Sequence, residues 1–165
     1  MTETILFHPI GYIRTPFRNR EGMPVQPPGA RGIRGEVVIN PLYVEGLKDL
    51  EGFSHIYLIY HFHCVKGQKP TVTPFMDVSE RGLFATRAPC RPNPIGLSVV
   101  RLVELKDNVL IVEDVDIIDG TPLLDIKPFV PFFDVTSDLY RTGWLEGRHG
   151  EVDSRRADSR FNGEE

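Results

Sequence analysis

Two cysteines, one tryptophan and no apolar run near the length of a membrane span mark this 165-residue sequence by what it lacks. Cys64 and Cys90 have no metal-like spacing, so no metal site is expected and a reduced, cytoplasmic setting is favoured over a disulfide-stapled one. Every apolar run is broken by charge, glycine or proline well short of the roughly 20 residues that a spanning helix needs. The N-terminal MTETILFHPIG has no basic region leading into a long apolar stretch, so no secretory signal is read from it. There is no G-x-G-x-x-G and no P-loop, which leaves the familiar dinucleotide and phosphate-cradle classes without support. No interval is long enough for repeated amphipathic crossover helices, and that disfavours an α/β nucleotide fold.

What is present is β-like sequence punctuated by 15 glycines and 14 prolines. Runs rich in Val, Ile, Leu, Phe and Tyr lie at 10–15, 35–39, 55–63, 82–86, 95–105, 109–118 and 123–129. Leu97, Val99, Val103 and Leu105 alternate with Ser98 and Glu104, and Lys106-Asp107-Asn108 suits a tight hairpin between the two longest runs. The expected fold is all-β, a single antiparallel β-barrel with short helices and long Gly/Pro loops. Short helices are expected at 44–50 and 138–146. One domain is expected over 5–140, followed by a polar, mobile tail over 147–165.

The net charge of −4 hides strong patterning. Between residues 5 and 35 lie Arg14, Arg18, Arg20, Arg31 and Arg34 with Glu21 as the lone acid. Residues 81–103 hold four arginines and no acid, whereas 108–120 hold Glu113, Asp114, Asp116 and Asp119 and no base. Such blocks suit either solvated faces or a bound polyanion.

Three stretches concentrate chemistry. His61 and His63 form an H-x-H pair that would share one side of a strand, but no third ligand accompanies them. Asp116 and Asp119 precede a Gly-Thr-Pro turn, where carboxylates accept hydrogen bonds from hydroxyl or ammonium groups; a charged turn with an Asx cap on Thr121 explains the same residues. The segment FATRAPCRPNPIG (84–96) is stiffened by Pro89, Pro92 and Pro94, each fixing its own φ and restricting the preceding residue. It holds Arg87 and Arg91 as planar cations suited to carboxylate or phosphate.

These stretches, with IGYIRTPF (10–17), GFSHIYLIYHFH (52–63) and DGTPLLDIKPFVPF (119–132), resemble the TsaA-like family in order along most of the first 135 residues. The resemblance implies a single-sheet β-barrel methyltransferase that uses S-adenosylmethionine, acts as a homodimer, and methylates the N6-threonylcarbamoyladenosine beside a tRNA anticodon. It implies cofactor contacts at Gln26 and Pro27, His63 and Cys64, Arg87 and Leu97, and Asp116, Ile117, Ile118 and Asp119. Cys64 stands where a bacterial member has Gln, and a short polar tail stands where larger bacterial proteins carry a further domain. The nucleophilic nitrogen must lose a proton, and Asp119 and His63 are the candidate bases; the sequence does not choose between them. Two other functions stay open: a methyltransferase for another RNA or a small molecule, and a non-catalytic module that binds cofactor or RNA.

Overall fold

The computed structural model describes residues 3–137 and 139–161. Six strands close into an antiparallel barrel: β1 (Gly11–Arg14), β2 (Arg34–Ile39), β3 (His55–His61), β6 (Ile95–Lys106), β7 (Val109–Glu113) and β8 (Thr121–Pro128), in the spatial order β1-β2-β7-β6-β3-β8. The two-residue strands β4 (Thr71–Val72) and β5 (Arg81–Gly82) pair separately. Closure comes from β1 against β8, where Ile13 faces Thr121 and Gly11 faces Leu123. This is the expected all-β barrel.

Strand periodicity builds the interior. Ile56, Leu58 and Tyr60 of β3 point inward, with Val37 and Ile39 of β2, Leu110 and Val112 of β7, and Leu123 of β8, all buried. Val115 and Ile117, just beyond β7, join the same core. On β6 the inward residues are Gly96, Ser98 and Val100, while Leu97 is exposed to 47%. The Leu97 and Val103 set therefore faces outward, and the polar Ser98 faces in.

Several boundaries differ from expectation for local reasons. The run at 109–118 stops at Glu113 because Asp114 turns the chain through a left-handed φ of 68°. The run at 55–63 stops at His61, where the His63 N–H donates to the His61 carbonyl at 2.8 Å. His61 and His63 therefore do not lie together on one strand face. The run at 82–86 yields only Arg81–Gly82 as strand, then a 3-10 turn over Leu83–Ala85. The helix expected at 44–50 is replaced by 3-10 turns over Pro41–Leu47 and Leu50–Gly52. Of the helix expected at 138–146, Asp138 lies outside the described residues and the rest holds only the turn Gly143–Leu145. A single α-turn, α1 (Pro131–Asp134), follows β8. The β6–β7 hairpin forms as expected, with Asp107 at φ 54°. Beyond residue 147 the described chain forms short turns that lie against the loops around 22–24 and 73–77, and residues 162–165 of the expected tail lie outside the described residues.

One contact sets how closely β3 and β6 approach. Tyr60 pairs with Gly96, and a Cβ at Gly96 would sit 2.2 Å from the Tyr60 ring. The ring cannot retreat freely, because its hydroxyl is 3.1 Å from Ser98 Oγ. Gly96→Ala is therefore expected to cost about 1–3 kcal/mol, the usual cost of overpacking a core. A lowered denaturation midpoint at unchanged slope is the expected result of a urea titration.

Candidate functional site

Antiparallel connectivity gathers the candidate residues at one mouth of the barrel. The pairs Ile13↔Thr121, Tyr60↔Gly96 and Arg34↔Glu113 show that β1 and β3 end where β2, β6 and β8 begin. The loops at that mouth are therefore those after β1 (Gln26, Pro27), after β3 (His63, Cys64), before β6 (Arg87) and before β8 (Asp116, Ile117, Ile118, Asp119). Leu97, near the start of β6, is exposed on the outer face at that end.

Within this set the side chains take distinct roles. Arg87 Nη1 donates to Gln26 Oε1 at 2.9 Å, joining the loop before β6 to the loop after β1. Pro27 opens the 3-10 turn Pro27–Ala30, for which Gln26 is the extended N-cap. Arg91 differs: Nη1 donates to the Thr86 carbonyl at 3.0 Å and the Ala88 carbonyl at 3.3 Å. Of the two loop arginines, Arg91 holds the loop's own backbone and Arg87 faces the neighbouring loop.

At the centre lies a chain of polar groups. The Tyr60 hydroxyl meets Ser98 Oγ, and Ser98 Oγ donates to Asp116 Oδ1 at 2.7 Å. Burial, opposed by the Ser98 hydrogen bond and the charge of Arg87, pushes the Asp116 carboxyl up to about 6. Burial and then the Asp116 charge push the Tyr60 phenol upward as well. Among the described residues no buried side-chain polar atom lacks a partner. Ser98 and Tyr60 are site residues that sequence reasoning missed; a serine in phase with Gly96 and Val100 was the available signal.

His63 and Asp119 diverge. His63 Nδ1 is 3.4 Å from Thr121 Oγ1, and that hydroxyl donates to the Ile118 carbonyl at 2.7 Å. With the hydroxyl proton so used, the imidazole is the donor at Nδ1 and carries its lone pair on Nε2. Burial, then the neighbouring His61, lowers the His63 pKa, which favours the neutral ring. Asp119 is committed on both oxygens: Oδ1 accepts the Thr15 N–H at 2.9 Å and Oδ2 pairs with Arg18. Cys64 is exposed and Cys90 buried, both free. No group of three or more His, Cys, Asp or Glu side chains among the described residues is arranged to hold a metal ion.

A groove of about 720 Å³ runs beside the mouth, lined by Arg14, Arg18, Arg34, Glu36, Glu104 and Asp119 among others. Asp119 alone of the candidate cofactor residues lines it. Arg14 pairs with Glu36, Arg18 with Asp119 and Arg34 with Glu113, so the arginines are partly neutralised; their side chains remain 54%, 77% and 69% exposed.

Comparison with known proteins adds a family. Residues 12–135 match the N-terminal domain of tRNA-methyltransferase O. A probable S-adenosyl-L-methionine-binding protein of Pyrococcus abyssi is 54% identical over 157 residues, covering 95% of this chain and 85% of that protein. A tRNA (adenine(37)-N6)-methyltransferase of Escherichia coli is 38% identical, covering 80% of this chain and 60% of that protein. The crystal structure of TrmO from Pseudomonas aeruginosa superposes with a TM-score of 0.71 at 41% identity, covering 86% of this chain and 63% of that one. The chain thus spans about three fifths of these two bacterial relatives.

The Asp116 environment makes a pH prediction. Its folded value of about 6 lies above the ordinary 3.8, so the folded state keeps the proton longer than the unfolded chain does. Stability from this group is then full below about pH 4 and falls as pH rises to about 6, by on the order of 3 kcal/mol. Urea melts of wild type and Asp116→Asn across that range should show the decline in the wild type and a flatter profile in the variant.

Proposed function

The chain belongs to the tRNA-methyltransferase O N-terminal-domain family, and from that membership we propose that it is a cytoplasmic S-adenosylmethionine-dependent methyltransferase acting on N6 of threonylcarbamoyladenosine 37 in tRNA. The observation that carries this reading is the convergence of Gln26, His63, Arg87, Leu97 and Asp116 at one barrel mouth.

The residues present fit the cofactor. Its carboxylate matches Arg87, which uses one N–H on Gln26 and makes no other side-chain hydrogen bond among the described residues. Ammonium and ribose hydroxyl groups match the carboxylate of Asp116, oriented from behind by Ser98 and Tyr60. Gln26, Pro27, Cys64, Leu97, Ile118 and Asp119 complete the proposed lining, to which Ile117, its side chain packed in the core, brings only backbone. When bound, S-adenosylmethionine supplies an electrophilic methyl group on a sulfonium. The chain supplies alignment, since in-line transfer needs the nucleophile held about 3–3.5 Å from the methyl carbon. The Pro-stiffened loop, tied internally by Arg91, holds Arg87 for that purpose without first having to be ordered.

The acidic nitrogen must also be relieved of its proton. His63 is the better of the two candidate bases, because its surroundings favour the neutral ring and the Thr121 contact at Nδ1 leaves the lone pair to Nε2, whereas Asp119 is occupied by Thr15 and Arg18. Phosphates of the tRNA are assigned to the groove of Arg14, Arg18 and Arg34 together with the exposed Arg31. The apolar side chains of Phe132, Phe133, Val135, Leu139 and Tyr140, all exposed after β8, support a homodimer.

Two measurements test the reading. Calorimetry should show S-adenosylmethionine binding to wild type, weakened by about 1–3 kcal/mol in Arg87→Ala, the cost of losing a charge-assisted contact; absence of binding at millimolar cofactor would retire the methyltransferase. Methylation of tRNA carrying threonylcarbamoyladenosine should proceed with an affinity that drops by roughly 0.9 log unit per log salt for each phosphate held. A salt-independent affinity would point to a substrate other than tRNA.

A further inference from the structure

A second, smaller core lies under the loop that carries Arg87. Val72, Leu83, Ala88 and Cys90 are buried there, and the remaining buried member, Phe161, arrives from the far end of the chain. Its ring meets Phe75 edge-on at 4.9 Å. The segment leading to it is polar, yet its arginines reach main-chain carbonyls, Arg160 while also pairing with Asp158. Arg160 donates to the Pro74 carbonyl at 2.6 Å, Arg155 to that of Phe75 and Arg148 to that of Met76. These carbonyls belong to the loop between β4 and β5; that of Pro74 also accepts the Asp77 N–H at 3.1 Å, while at Phe75 and Met76 the arginines satisfy acceptors that would otherwise need water. Arg148 also lies 3.6 Å from the buried Asp77, whose other oxygen is held by Arg81 at 2.7 Å. The Arg81 hydrogen bonds hold the Asp77 carboxyl down at about 2, so this junction stays ionised at working pH.

The same segment reaches both outer walls of the site. On one side the Trp144 Nε1–H donates to the Ala85 carbonyl at 2.7 Å, two residues before Arg87. On the other, the Ala157 N–H donates to the Met23 carbonyl and the Gly22 N–H to the Ala157 carbonyl, both at 2.8 Å, beside Gln26. A Cβ at Gly29 would come 2.9 Å from the Val152 carbonyl, so the turn after Gln26 lies directly on the segment. Arg20 closes the circuit, donating to the carbonyls of Phe161 and Cys64. No barrel strand is needed for any of these contacts.

We propose that residues 143–161 form a strap that sets the distance between the Gln26 wall and the Arg87 wall, with Phe161 and Trp144 as positioning residues. The inference rests on the S-adenosylmethionine reading for its functional consequence, but not for its structural one. The Arg87–Gln26 hydrogen bond spans two segments outside the barrel ladder, and the strap touches both; the stretch after β3 also bridges them, through Arg20 to the Cys64 carbonyl and the Lys69 N–H to the Cys90 carbonyl. By reciprocity, a ligand that bridges the two walls also favours the docked strap.

The test uses the full chain. In Phe161→Ala, amide hydrogen exchange should accelerate over residues 20–30 and 83–90 while the barrel strands keep their protection. S-adenosylmethionine should bind about tenfold more weakly, within the range usual for coupled sites, with the main thermal transition retained. Phe161→Leu should restore binding. Trp144, the single tryptophan, should shift its emission to the red in Phe161→Ala and recover at saturating cofactor. Trp144→Phe, which removes the N–H donor and part of the ring while keeping an aromatic side chain, serves as the milder variant if Phe161→Ala does not fold, with the same exchange pattern expected around Ala85. Unchanged exchange at both walls, or equal loss of protection in the barrel strands, would overturn the strap. A wild type that does not bind S-adenosylmethionine, but whose variants show the wall-specific exchange, retires the proposed activity and upholds the strap.

Discussion

Tyr60 can lie across β6 only because residue 96 has no side chain, and much of the mouth follows from that approach. The ring fills the top of the barrel core and brings its hydroxyl to Ser98, which in turn holds one oxygen of Asp116. A buried hydroxyl without a partner would cost on the order of 1–3 kcal/mol, so the three groups are stable as a set and costly in part. The set links apolar packing below to acidic chemistry above. Asp116 consequently owes its orientation to two buried residues, Ser98 and Tyr60.

The loops at the mouth are controlled by a different device. They are long, rich in glycine and proline, and outside the barrel's hydrogen-bond ladder, so their carbonyls must be satisfied individually. Arginine does this repeatedly: Arg91 within its own loop, Arg20 between loops, and Arg148, Arg155 and Arg160 from the end of the described chain. Five arginines thus serve the chain's own backbone, and two of them, Arg20 and Arg91, belong to the basic blocks that suggest a polyanion binder. Arg14, Arg18 and Arg34 face carboxylates as well as solvent, which leaves Arg87 distinctive in aiming at a neutral amide.

The barrel was legible in the sequence because strand alternation and turn punctuation are local signals. The hairpin at Lys106-Asp107-Asn108 is the plainest case, with Asp107 adopting the positive φ that its short polar side chain tolerates. The mouth was only partly legible. On β6 the apolar Leu97 and Val99 alternate with Ser98, and hydropathy alone assigns the wrong face, because the partners that make an inward serine acceptable come from β3 and from the loop before β8. Nor do the letters separate Arg87 from Arg91, four residues apart on one stiff loop. Bonds from arginine to main-chain carbonyl leave no trace in composition, so a polar stretch such as 147–161 shows its role only in three dimensions.

The pairing of β1 with β8 has a temporal side. Ile13 leaves the ribosome about a hundred residues before Thr121, its partner in closure, and at roughly 5–20 residues per second the gap lasts several seconds. Through that interval β1 and β2 can form a hairpin, but the barrel has an open edge and the loops have no common rim. The mouth of the barrel is thus among the last features to appear, and a nascent chain stalled before β8 is a sheet with an unpaired, adhesive border.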